Sequence, residues 1–144
     1  MAFVAFGYYD PAAPEQFARL AEHFVAATRR LFGIELRFDR ESILKLDGIV
    51  DAVGPLENQQ LVQDLVMQIG SFLGEALLRV YGGRWTWDER FGTWRVSIPT
   101  TSGKDTTPGP FAKVQKRLES GMEDSVSFFA KVTDSMVRGE IPPA

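Results

Sequence analysis

The chain has no cysteine among its 144 residues. That absence removes disulfides, thiolate metal sites and cysteine nucleophiles together. It also fits a reducing compartment, and the expected location is the cytoplasm. Histidine occurs once, as His23, so a histidine-based metal cage is not available. His23 falls beside the apolar stripe of a helix, where a half-exposed edge residue is expected rather than a catalytic base.

Long apolar runs are missing too. No segment approaches the ~20 uninterrupted apolar residues of a membrane span. The apolar start MAFVAFGYYD stops at Asp10 and has no Lys or Arg before Arg19, unlike a secretory signal. No membrane partner is expected. Positive charge is scarce, with 16 Lys and Arg against 19 Asp and Glu and a net charge of −3. Generic nucleic-acid binding needs a positive field, so no nucleic-acid partner is expected. What remains is an ordinary globular composition, 44% hydrophobic and 24% charged, on a chain long enough to bury one core.

Periodicity places the elements. Residues 1–9 suit a short strand or cap. Phe17, Leu20, Ala21, Phe24, Ala27 and Leu31 recur at three and four, predicting a helix over 15–32 that Pro14 opens and Gly33 ends. Residues 34–38 alternate as a strand or an extended link. Asp39 can cap a second helix whose stripe is Ile43, Leu46, Val50 and Val53 and whose stop is Gly54-Pro55.

The third helix, over 57–81, is the most apolar and is expected to be central. Leu61, Leu65, Ile69, Phe72, Ala76 and Val80 lie on its wide apolar face, and Gln60, Asp64, Gln68, Ser71, Glu75 and Arg79 mark its polar side. Gly70 and Gly74 sit beside the apolar face. Each mid-helix glycine costs about 1 kcal/mol relative to alanine. Close packing inside the domain is the expected compensation, with a homodimer seam as the minor reading. Glu75 and Arg79 form an i,i+4 pair, expected on a solvated face.

After Gly82-Gly83, alternation predicts a hairpin. Trp85 and Trp87 share one face of its first strand, and Trp94, Val96 and Ile98 share one face of the second. TTSGKDTTPG, residues 100–109, reads as an exposed loop. Helices follow over 110–120 and 124–138, and a flexible Pro-rich tail over 140–144. The order of elements predicts an α+β domain over 1–139, with about five helices, a central glycine-containing helix and a small antiparallel sheet carrying one Trp-rich hairpin.

Chemical motifs are few. Ser102-Gly103-Lys104-Asp105 lacks the Ser or Thr and the earlier glycine of a phosphate loop. Ser42-Ile-Leu-Lys45 matches an acylated-serine pattern without its companion motifs. Asp47 and Asp51, four apart, repel unless something neutralises them, but no calcium-loop spacing surrounds them. No cofactor or metal is expected. Lys104, Lys113, Lys116 and Arg117 form the basic cluster, a candidate anion site at the start of the fourth helix. An enzyme would need two converging carboxylates in a pocket.

Residues 69–75 read IGSFLGE and residues 82–85 read GGRW. This resembles a pattern in small uncharacterised bacterial proteins, where a G-x-x-L-G-E helix runs into G-G-x-W and a short strand. PFAKVQKRL at residues 110–118 is compatible with it. The resemblance covers the central third of the chain and implies no activity and no catalytic residue. The expected function is therefore a non-enzymatic protein-interaction domain, an adaptor or immunity-type binder, with another protein as partner. Core packing against the third helix is the default for the tryptophans; if the hairpin's aromatic face is open, Trp85, Trp87 and Trp94, with Glu75, are the candidate contacts. The alternative is a small-molecule or anion-binding module using the hairpin aromatics with Lys104, Lys113 and Arg117.

Overall fold

The computed structural model describes residues 7–144. Six residues of the expected N-terminal strand therefore lie outside the described residues, and residues 7–9 form no strand. Helix α1, Ala13–Phe32, begins where the Ala12 N–H donates to Asp10 Oδ1 at 2.9 Å and has proline in its first turn. Phe17, Ala21, Phe24 and Thr28 form its buried face. Gly33, at φ 67°, stops it abruptly. Residues 34–38 are an extended link rather than a strand; Leu36 is buried while Ile34 and Phe38 pack against the core from the rim.

Asp39 caps the next segment, its carboxylate accepting the Ser42 N–H at 2.8 Å. The single helix expected here is two pieces, α2 (Arg40–Ile43) and α3 (Leu46–Val53), separated by a turn at Leu44 and Lys45. Ile43, Leu46 and Val50 remain buried, so the stripe survives the break. Helix α4, Gln59–Tyr81, is capped by Asn58, whose side-chain oxygen accepts from Gln60 and Leu61.

Among the described residues α4 alone has the length and apolar composition of a membrane-crossing helix, and its middle is buried inside the fold. Its burial departs from the expected face in several places. Ser71, assigned to the polar side, is fully buried, whereas Leu61 and Val80 are exposed because the helix ends outrun the core.

The hairpin is β1 (Arg84–Asp88) with β2 (Thr93–Pro99), antiparallel, with Trp85 opposite Val96 and Trp87 opposite Trp94. Gly83, at φ 114°, lies so close to the Ser97 carbonyl that a Cβ there would collide with it. The expected loop contains a third strand, β3 (Asp105–Thr106), on the other edge of β2, and Thr106 is buried. Helix α5 (Pro110–Ser120), a 3-10 turn (Gly121–Asp124) and helix α6 (Val126–Val137) complete an α+β fold.

The two helical glycines hold the layers together. A Cβ at Gly70 would overlap the Phe111 ring of α5, and a Cβ at Gly74 would overlap the six-membered ring of Trp85. Phe17 of α1 lies 4.9 Å from Phe111 and 4.7 Å from Trp85, while Trp85 stacks on Phe111 at 5.6 Å. Rings from three elements thus meet over the two bare positions of α4. Such pairs contribute about 0.5–1.5 kcal/mol each beyond the apolar area they bury, enough to offset the glycine penalty.

Candidate functional site

The three tryptophans share one side of the hairpin but have three different environments. Trp85 is seated on Gly74, and its indole N–H donates to Glu75 Oε2 at 2.8 Å. Glu75 is therefore turned towards the sheet, its side chain 15% exposed, and is not part of a solvated face. Arg79, its i,i+4 neighbour at 4.0 Å, lies with its guanidinium 3.8 Å over the Phe38 ring. Trp94 is buried beneath Tyr9 (5.5 Å) and beside Phe17 (6.0 Å). Trp87 is half-buried at the edge, donating its indole N–H to Glu89 at 3.0 Å.

The hairpin turn extends this edge into an aromatic rim. Asp88 Oδ1 accepts the backbone N–H groups of Arg90 and Phe91, and Gly92 adopts φ 58° to rejoin the strand. That geometry leaves Phe91 facing outward, 60% exposed, with the guanidinium groups of Arg90 and Arg95 at 4.9 and 5.2 Å from its ring. Arg95 also pairs with Asp88 at 3.0 Å, fixing the turn to β2. The Gly7 N–H donates to the Gly92 carbonyl, which brings the following tyrosines to the same rim. Tyr9 stands 6.1 Å from Trp87, and both Tyr8 and Tyr9 are more than half exposed. Tyr8, Tyr9 and Phe91 were not among the candidate residues; the Tyr-Tyr pair ahead of Asp10-Pro11 was the available signal.

The basic candidates do not converge. Lys104 is exposed in the β2–β3 turn, where Thr100 Oγ1 donates to its carbonyl. Lys113 pairs with Asp124 at 3.3 Å and lies over the Phe129 ring. Arg117 is buried: its Nε donates to Asp47 Oδ1 at 2.8 Å, and a terminal nitrogen donates to Asp51 Oδ1 at 2.8 Å. The repulsion between Asp47 and Asp51 is thus relieved by a cation from α5.

Asp47 does more than pair. Its Oδ1 also accepts the Val126 N–H at 3.0 Å, and its Oδ2 accepts the Ser127 N–H at 3.0 Å and the Ser125 hydroxyl at 2.9 Å. A carboxylate from α3 therefore caps the N-terminus of α6, where free N–H groups and the helix dipole favour negative charge. Burial opposes its ionisation, but the N–H donors of Ser127 and Val126, with Arg117 and Ser125, outweigh burial and hold its pKa well below the ordinary value.

Among the described residues no group of three His, Cys, Asp or Glu side chains is placed to hold a metal ion. His23 is exposed on α1. No protein-family model, no curated protein and no solved structure matches this chain.

Proposed function

We propose that this chain is a non-enzymatic protein-binding module, of adaptor or immunity type, that contacts its partner through the aromatic rim of the hairpin. The observation behind this reading is the exposure of Tyr8, Tyr9 and Phe91, at 56%, 55% and 60%, around a base formed by Trp87 and buried Trp94. Rings held this way present large area while losing little side-chain freedom on docking. Tyr, Trp and Arg are also the residues that carry most binding energy at protein interfaces. Arg90 has no ion pair among the described residues. It suits a partner that places a carboxylate beside the apolar side chain it seats on Phe91. The cysteine-free composition and the bacterial resemblance agree with a cytoplasmic setting.

The test is capture of partners from source-cell extract by the native chain, Phe91→Glu, Trp87→Ala and Lys116→Glu, read by mass spectrometry with circular dichroism on each variant. A stoichiometric partner retained by Lys116→Glu and lost from folded Phe91→Glu supports the reading. A partner unaffected by both rim variants, or none for the native chain, removes it.

A further inference from the structure

A recess of about 360 Å³ opens where α3 and α5 both end. Val50, Leu56, Val62 and Leu118 give it apolar walls, and Gly54 and Gly121 are the residues at which the two helices stop. Its polar side chains are Asp51 and Arg117, and both have bonding capacity left over. Arg117 is only 4% exposed; Asp47 Oδ1 takes its Nε, and the Asp47 carbonyl and Asp51 Oδ1 take its Nη2. Its Nη1 donates to no described residue, yet it is not enclosed, so it meets solvent at the recess that the side chain lines. Asp51 is 66% exposed and accepts through Oδ1, which leaves Oδ2 without a donor among the described residues. A donor and an acceptor thus stand side by side against apolar walls.

Charge decides what fits. Two carboxylates, Asp47 and Asp51, face one guanidinium, which leaves the cluster at −1. The last carbonyls of α3 and α5 add the partial negative charge of two helix C-termini. The start of α4, which could offset them, already has Asn58 as its cap. A lone anion is therefore repelled even though an arginine lines the recess. A cation is attracted, and Nη1 requires an acceptor beside it. An α-ammonium group with its own carbonyl carries both on neighbouring atoms, and its side chain supplies the apolar surface. The volume lies near the lower end of the about 300–1,000 Å³ of ligand sites, which suits one residue rather than a length of chain.

We propose that this recess binds the N-terminal residue of a peptide. The α-ammonium group donates to Asp51 Oδ2, the first carbonyl oxygen accepts from Arg117 Nη1, and an apolar side chain packs between Val50, Leu56, Val62 and Leu118. No residue of the hairpin rim lines the recess, so this inference stands apart from the proposed partner site.

Isothermal titration calorimetry tests it with the amide of Leu-Ala-Ala at about pH 6.5, where an α-amine is protonated. The native chain binds this peptide one to one. N-acetylation of the peptide, which removes its charge, raises Kd by about tenfold or more. Asp51→Asn does the same while keeping an acceptor for Arg117. Isoamylamine, with the side chain and ammonium but no carbonyl, binds less tightly than the peptide. So does free leucine, whose carboxylate meets the negative cluster. Asp64→Asn, the same charge change outside the recess, leaves the affinity unchanged. No binding by the native chain overturns the proposal, as does binding that survives acetylation, which needs no variant. Equal affinity for isoamylamine, undiminished binding by folded Asp51→Asn, or an equal loss in Asp64→Asn also overturns it. Leucine binding more tightly than the peptide overturns the choice of a peptide and gives the recess to free amino acids.

Discussion

Asp47→Asn removes one charge and leaves the shape of the side chain nearly unchanged, which makes it a sharp probe of how α6 is held. The carboxylate satisfies two donors with each oxygen: Arg117 Nε and the Val126 N–H on one, the Ser125 hydroxyl and the Ser127 N–H on the other. An asparagine has one acceptor oxygen, so either orientation turns an NH₂ group towards two donors that had been satisfied. Removing one partner of a buried ion pair costs about 3–5 kcal/mol. Arg117 keeps Asp51, whose side chain is 66% exposed, so the loss should lie near the lower end, about 3 kcal/mol. Urea unfolding at pH 7 reads this directly; with m near ~2 kcal/mol/M the midpoint falls by about 1.5 M.

The acid limb gives a second readout of the same substitution. A carboxylate whose folded pKa lies below its ordinary value of 3.8 stabilises fully above that value. That contribution declines as pH falls below it towards the depressed folded value. The native protein should lose stability steadily over that window, and Asp47→Asn should flatten the slope. A destabilisation below about 1 kcal/mol, or an unchanged acid limb, would refute the assignment of Asp47 as the cap that holds α6.

Other expectations follow from single positions. Gly74→Ala gains helix propensity but drives a methyl into the Trp85 ring; we expect a net loss of about 1–3 kcal/mol and a shifted tryptophan emission. Gly48→Ala, where an added Cβ meets nothing within 4 Å, should stabilise α3 by about 0.5–1 kcal/mol, read as a rise in Tm. Tyr81 is half-buried and donates to Asp134 at 2.8 Å, and partial burial, then that carboxylate, push its pKa up to about 12. Its stabilisation is complete below pH 10 and is lost as pH rises through about 12. Ultraviolet titration should show one tyrosine ionising late, and Tyr81→Phe should abolish that phase.

The sequence carried the helical periodicities well because each depends on local spacing. Phe17, Ala21 and Phe24 did become the buried face of α1, and Asp39 did cap the next helix. The break at Leu44 was invisible because Ile43, Leu46 and Val50 satisfy the same stripe whether or not the axis changes between them. Repulsion between Asp47 and Asp51 was legible, but Arg117, 70 and 66 residues away, was not, since nothing local marks a long-range partner. The same holds for Glu75: spacing paired it with Arg79, while its nearer partner, Trp85, lies across the packed layer. At the candidate site, alternation put the tryptophans on one side of the hairpin. It could not say that the turn would expose Phe91, or that Tyr9 would join the same rim.

The glycine recesses of α4 also set the order in which the molecule can be completed during synthesis. Gly70 and Gly74 emerge from the ribosome before Trp85 and well before Phe111, the rings that fill them. Asp47 emerges earlier still, yet the helix it caps is made after every other described helix. A nascent chain ending at Tyr81 can bring α1 against α4 but leaves both recesses empty and a carboxylate pair without its cation. Such distant closures favour slow, all-or-none folding over stepwise accretion. Until α6 emerges, the unfinished chain exposes an apolar helix face, the kind of surface that chaperones shield.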